Sequence, residues 1–181
     1  ILDLSKVEAG KLQIHPEEVK ISNLVNNLQN QFEPVAKSKK LKFMIQAEPD
    51  APEKIITDEQ RLEQIVKNLV SNAIKFTEKG SVNVSISVPG ENVKFRDITL
   101  PKSEVLEVSV RDTGIGIPKA KRMMIFEAFQ QAEGGTSRQF GGTGLGLTIS
   151  RELSRLLGGE IHIDSKEGEG STFTVYVPMD L

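Results

Sequence analysis

Residues 58–76 constrain the fold of this 181-residue chain more than any other stretch. Apolar side chains recur at 62, 65, 66, 69, 70, 73 and 74, the period of an α-helix with one buried side, and Thr57 or Asp58 stands where an N-cap is wanted. Such a helix must lay its stripe against something. Strand patterns supply the partner: residues 41–47 alternate Leu41, Phe43, Ile45 and Ala47 with Lys42, Met44 and Gln46, and further strands are expected at 54–57, 81–88, 105–110, 160–165 and 171–177. The last two meet through a Gly168/Gly170 turn. Strands 81–88 and 105–110 read as antiparallel neighbours. The connection between them, residues 89–104, holds Pro89, Gly90 and Pro101 and is long for a hairpin, so an exposed, mobile insertion is expected.

Other helices are expected at 23–40, 119–129 and 143–157, the last ended by Gly158-Gly159. For the first, Ser22 is the expected N-cap, Leu24, Val25, Leu28, Phe32, Val35 and Ala36 the buried side, and Pro34 a kink or early stop. Residues 1–12 carry apolar side chains at 1, 4 and 7 and suit the end of a helix too short to stand alone. Pro16 and Glu17-Glu18 then mark residues 13–18 as a linker, leaving 19–181 as one domain. The fold class is α+β, a two-layer sandwich with a sheet of about five strands and helices on one face.

Composition removes several functions. A formal net charge of −2 argues against nucleic acid as the main partner. No apolar run reaches the roughly 18 residues of a membrane helix, and no signal segment opens the chain, so a soluble piece making no membrane contact is expected. The absence of cysteine removes disulfides and thiolate metal sites, and with His15 and His162 as the two histidines a zinc centre is not expected.

What the domain holds is suggested by two glycine segments, Asp112-Thr113-Gly114-Ile115-Gly116 and Gly141-Gly142-Thr143-Gly144-Leu145-Gly146-Leu147. Glycine lets backbone amides approach a ligand, and a helix opening after a glycine turn points its N–H groups at an anion. Phosphate is the obvious anion. The layout is no P-loop, since no Gly-Lys-Ser or Gly-Lys-Thr occurs, and no dinucleotide fold, which places its glycine turn in the first strand–helix unit. On the helix from Asp58, residues 68, 72 and 75 fall at i, i+4 and i+7 beside the apolar stripe. Asn68 and Asn72 offer amide oxygens suited to Mg²⁺, and Lys75 a charge for phosphates. Two asparagines alone would more readily cap or solvate an exposed face; the glycine loops elsewhere reverse that preference. Asp112 either initiates a turn or accepts a hydrogen bond from an exocyclic amine such as adenine's. Thr172, opening the last strand, is an ordinary strand threonine or a supporting hydroxyl.

Residues 62–77 (LEQIVKNLVSNAIKFT), 112–117 (DTGIGI), 126–129 (FEAF) and 142–147 (GTGLGL) resemble, in order, the N, G1, F and G2 boxes of the catalytic ATP-binding domain of sensor histidine kinases. That family shares a superfamily with DNA gyrase B, MutL and the ninety-kilodalton heat-shock chaperone, and the resemblance covers about 19–178. It implies a Bergerat-type sandwich with a mixed sheet and an ATP lid over about 115–142, packed down by Phe126 and Phe129. It implies ATP and Mg²⁺ as cofactors, with Asn68, Asn72, Lys75 and Arg138 in catalytic roles and Asn72 and Asn68 at the metal. The implied nucleotide contacts are Asn68, Asn72, Lys75, Phe76, Asp112, Gly114, Gly116, Ile117, Phe129, Arg138, Gln139, Gly142, Thr143, Gly144, Leu145, Gly146, Leu147 and Thr172.

In the gyrase and chaperone branch a glutamate one turn before the metal asparagine orients water. Here Asn68 holds that place, and an amide cannot act as a general base. This favours transfer to a protein acceptor over hydrolysis. By resemblance, residues 1–12 are the end of a dimerisation hairpin whose phosphorylated histidine lies upstream, so His15 and His162 are not the acceptor. The partners implied are that hairpin and a response-regulator receiver domain, within a homodimeric parent, membrane-anchored or not, whose catalytic part is cytoplasmic. A regulatory module that binds ATP without transfer, or an ATPase, are the alternatives.

Overall fold

The computed structural model describes residues 5–6, 9–125 and 145–181. Strand β1 (Glu17–Lys20) pairs antiparallel with β3 (Lys54–Thr57) as a two-stranded sheet. Glu17 and Glu18, read as linker, therefore belong to a strand, because the partner that orders them lies 36 or more residues away. The main sheet contains β2 (Lys42–Ala47), β4 (Ser81–Ser87), β5 (Val105–Asp112), β6 (Glu160–Lys166) and β7 (Gly170–Pro178) in the order β2-β4-β5-β7-β6. β2 runs parallel to β4 and every other pairing is antiparallel, so the sheet is mixed. The expected five strands are present, with 54–57 assigned to the small sheet instead.

Period-two alternation sorts the sheet into two faces. Val82, Val84, Ile86, Leu106, Val108, Val110, Ile161, Val175 and Val177 lie on one face and form a single core with three helices. These helices are α1 (Ile21–Ser38), α2 (Glu59–Lys75) and α3 (Leu145–Leu156). All seven apolar positions predicted for α2 are buried, and Asp58 is its N-cap, its carboxylate accepting from the Arg61 amide at 3.1 Å. Stability of α2 thus comes mainly from packing, at about 2 kcal/mol per buried aliphatic side chain.

Helix α1 departs from expectation in three ways. It begins at Ile21, so Ser22 is not its N-cap; Lys20 is, without a side-chain bond, because β1 feeds directly into the helix and the Ile21 amide donates to Glu53 O at 3.0 Å. Val35 is 46% exposed, lying off the stripe of Ile21, Leu24, Leu28, Phe32 and Ala36. Pro34 neither stops nor shortens the helix below Ser38, since it sits on the exposed side. Lys40 closes α1 in the left-handed region (φ 58°), with Leu41 N–H returning to Ala36 O at 2.9 Å.

The connection 89–104 is fastened down, contrary to the expectation of a mobile insertion. It lies over the helix-free face of the sheet, where the Glu160 carboxylate accepts the amides of Arg96, Asp97 and Ile98 at 3.0 to 3.1 Å. Phe95 packs edge-on to Tyr176, with ring centroids 5.3 Å apart. After β5 come a 3₁₀ turn (Lys119–Lys121) and one helical turn (Arg122–Ile125), within the span expected to be helical. Among the described residues no helix is long and apolar enough to cross a membrane.

Candidate nucleotide site

The site is built along α2, which crosses beneath β5 and β7 and packs against α3. Its C-terminal end meets the first glycine segment. Gly114 lies so close to the Phe76 carbonyl oxygen that an added Cβ would collide with it, and the Gly114 amide donates to Asp112 Oδ1 at 2.8 Å. Gly116 is required twice over, by a φ of 70° and by contact with the Lys166 carbonyl. The Ile117 amide donates to Ser165 Oγ at 2.7 Å, which ties the segment after Gly116 to β6.

Eight residues earlier on α2, Asn68 meets the start of α3. Its Nδ2 donates to Ser150 Oγ at 2.9 Å, and Ser150 donates to Gly146 O at 2.8 Å. A Cβ on Gly146 would strike Asn68 Oδ1. Between these two junctions α2 and its C-cap present Asn68, Asn72, Lys75 and Phe76 along a strip of about 12 Å, from eight residues at 1.5 Å rise. Asn72, Lys75 and Phe76 are half-buried, and Lys75 Nζ lies 5.8 Å from the Phe76 ring centroid. Leu147 packs on the core from the first turn of α3; for Leu145 the helix start is described and the side chain is not.

Asp112 is 6% exposed at the sheet's end. Burial pushes its carboxyl above the ordinary range, against the opposing pull of the Gly114 and Ser171 amides. The hydroxyl that shares its face is not Thr172. In the β5–β7 register Asp112 opposes Ser171 while Thr172 opposes Arg111, and alternation puts Thr172 on the helix-free face. Ser171 Oγ is bonded to Ser165 Oγ at 2.7 Å, so Asp112, Ser171 and Ser165 form one polar patch. Ser171, Ser165 and Ser150 were missed from sequence. Strand parity counted from Gly170 would have found the first; the other two depend on contacts across the fold.

Phe126, Phe129, Arg138, Gln139, Gly142, Thr143 and Gly144 lie outside the described residues. Neither histidine belongs to the site. His15 donates its amide to Asp58 Oδ2 at 2.9 Å, and His162 contacts Glu160 at 2.6 Å on the helix-free face.

A mixed sheet with helices on one face, and a polar strip on α2 bounded by two glycine junctions, defines an α+β nucleotide-binding domain without a P-loop. Residues 57–181 match the family described as histidine kinase-, DNA gyrase B- and HSP90-like ATPase, and the chain belongs to that family. It is 38% identical over 180 residues to the autoinducer 2 sensor kinase/phosphatase LuxQ of Vibrio vulnificus, a match spanning 99% of this chain and 20% of the relative. It is likewise 38% identical over 181 residues to the signal transduction histidine-protein kinase BarA of Escherichia coli, spanning 100% and 19%. The chain therefore covers about a fifth of the length of these curated relatives. Among solved structures, full-length ShkA in complex with AMPPNP superposes with a TM-score of 0.80 at 30% identity, over 98% of this chain and 34% of that one.

Proposed function

We propose that this domain binds ATP with Mg²⁺ and delivers the γ-phosphoryl group to a histidine on a separate dimerisation hairpin, for relay to a receiver-domain aspartate. The reading is supported above all by the α2 strip, which offers a buried carboxylate at one junction and amide groups with a glycine-opened helix at the other. Asp112 would accept the adenine amine beside Phe76. Lys75 would meet phosphate charge, and the helix α3 amides would face the same anion. Asn68 and Asn72 suit a hard cation that keeps waters and takes its other ligands from phosphates. Bound Mg²⁺ would neutralise phosphate oxygens during transfer; the chain's part is positioning.

Self-contained hydrolysis is disfavoured because Asn68, an amide already donating to Ser150, stands where a base would be needed. Residues 1–12 would be the end of the hairpin, 13–18 its connection and 19–181 the catalytic domain, acting in the cytoplasm within a homodimeric parent. Arg138 and Gln139 are proposed to reach phosphate from the lid, over 115–142.

The test mixes the chain with Mg-ATP and a separately made acceptor hairpin. Acid-labile, base-stable phosphate on the hairpin is expected, with little phosphate released without it. ATP binding without transfer to any hairpin would point instead to a regulatory module, and rapid release without acceptor to an ATPase.

A further inference from the structure

Ser150 is buried to 1% exposure in the second turn of α3, and it bonds twice. Its single hydroxyl proton is given to Gly146 O, so toward Asn68 it can act as acceptor alone. An amide facing an acceptor must present its nitrogen. Asn68 is thereby fixed with Nδ2 on Ser150 and Oδ1 against the bare Cα of Gly146, at the opening of α3. Gly146 is helical, so glycine serves here to make room for that oxygen, not to supply an unusual φ.

We propose that Ser150 is a positioning residue that sets the flip of the Asn68 amide, keeping its oxygen available to Mg²⁺ and its nitrogen away from the cation. The inference rests on the reading of Asn68 as a Mg²⁺-side residue. It also couples two parts of the site: the first turn of α3 and the metal side of α2 share one hydroxyl, so a shift of either alters the other. In a helix, a serine bonded to its i−4 carbonyl adds little stability of its own. Loss of the hydroxyl should therefore show in metal handling more than in folding.

The experiment measures AMPPNP affinity of the whole chain across a Mg²⁺ titration and in EDTA, for wild type, Ser150→Ala, Ser150→Thr, Asn68→Ala and the Asn68→Ala/Ser150→Ala pair. Ser150→Ala should raise the Mg²⁺ needed for half-maximal binding about tenfold, as removal of an outer-shell partner typically does, with affinity in EDTA unchanged. Ser150→Thr should recover most of it, and the double variant should be no worse than Asn68→Ala. A second readout needs no nucleotide: the Asn68 side-chain amide protons should exchange with solvent faster in Ser150→Ala. If Asn68→Ala lowers Mg²⁺ dependence while Ser150→Ala retains it in full, the positioning role is overturned alone. If Asn68→Ala itself leaves Mg²⁺ dependence intact, the metal reading fails and the proposal with it.

Discussion

Glu160→Gln isolates the carboxylate that holds the 89–104 connection to the sheet. Glu160 is 5% exposed and yet ionised: its carboxyl is held down to about 2, because the amides of Arg96, Asp97 and Ile98 and the His162 ring together outweigh the burial that opposes ionisation. Relative to the ordinary 4.5, that depression corresponds to about 3 kcal/mol at pH 7. Since the folded value is the lower one, the stabilisation is complete above 4.5 and is lost as pH falls through about 2. At pH 3 about 1 kcal/mol remains. Glutamine occupies the place of the neutral acid, so the stability gap between wild type and variant should follow the same curve. Urea unfolding at pH 7, 4.5 and 3 should give gaps near 3, 3 and 1 kcal/mol at most. Hydrogen exchange would identify the source, with the amides of residues 96–98 losing protection in the variant. A gap that does not change with pH, or amides that stay protected, would refute the assignment of the carboxylate as the clasp.

Three other substitutions probe the site and its frame. Asp112→Asn should weaken ATP binding by about 2 kcal/mol, roughly 30-fold by calorimetry. The same change should raise the melting temperature of the ligand-free domain at pH 7: burial lifts the Asp112 carboxyl, so wild type loses stability as pH rises through its folded value and the variant does not. Gly146→Ala should gain helix propensity of about 1 kcal/mol, yet lose net stability of similar size through collision with Asn68, and its Mg-dependent AMPPNP affinity should fall about tenfold. Lys40→Gly should relieve the left-handed residue that ends α1, raising stability by about 1 kcal/mol and the melting temperature by about 2–4 °C, visible by calorimetry.

Helix α2 was legible to within a residue because the information is local: seven apolar side chains in helical period, opened by Asp58. The hairpin of β6 and β7 was legible for the same reason, with glycine at its turn. Sequence failed wherever a distant partner decided the outcome. β1 exists because β3 pairs with it, and that pairing moves the start of α1 ahead of Ser22. The 89–104 connection is held by Glu160, more than 60 residues from the amides it accepts. At the candidate site, Asn68, Asn72 and Lys75 could be listed from helical spacing and Asp112 from its place at a strand end, whereas Phe76 came from the family resemblance alone. Thr172 was chosen where Ser171 stands because composition does not reveal which parity of β7 faces the helices. Ser150 carries no mark in the sequence: a serine within an amphipathic helix is unremarkable until Asn68 is packed against it.

Asp58 gives the domain a mechanical joint. One carboxylate oxygen caps α2 through Arg61, and the other holds the backbone of His15 at the threshold of the domain. A pull on the chain at residue 15 is therefore shared between the β1–β3 pairing and the root of the helix that carries Asn68, Asn72 and Lys75. The incoming segment can swing away only by surrendering its bond to Asp58 together with the packing of Leu12 and Ile14 on the core, so residues 12–15 and the root of α2 are fastened as one piece.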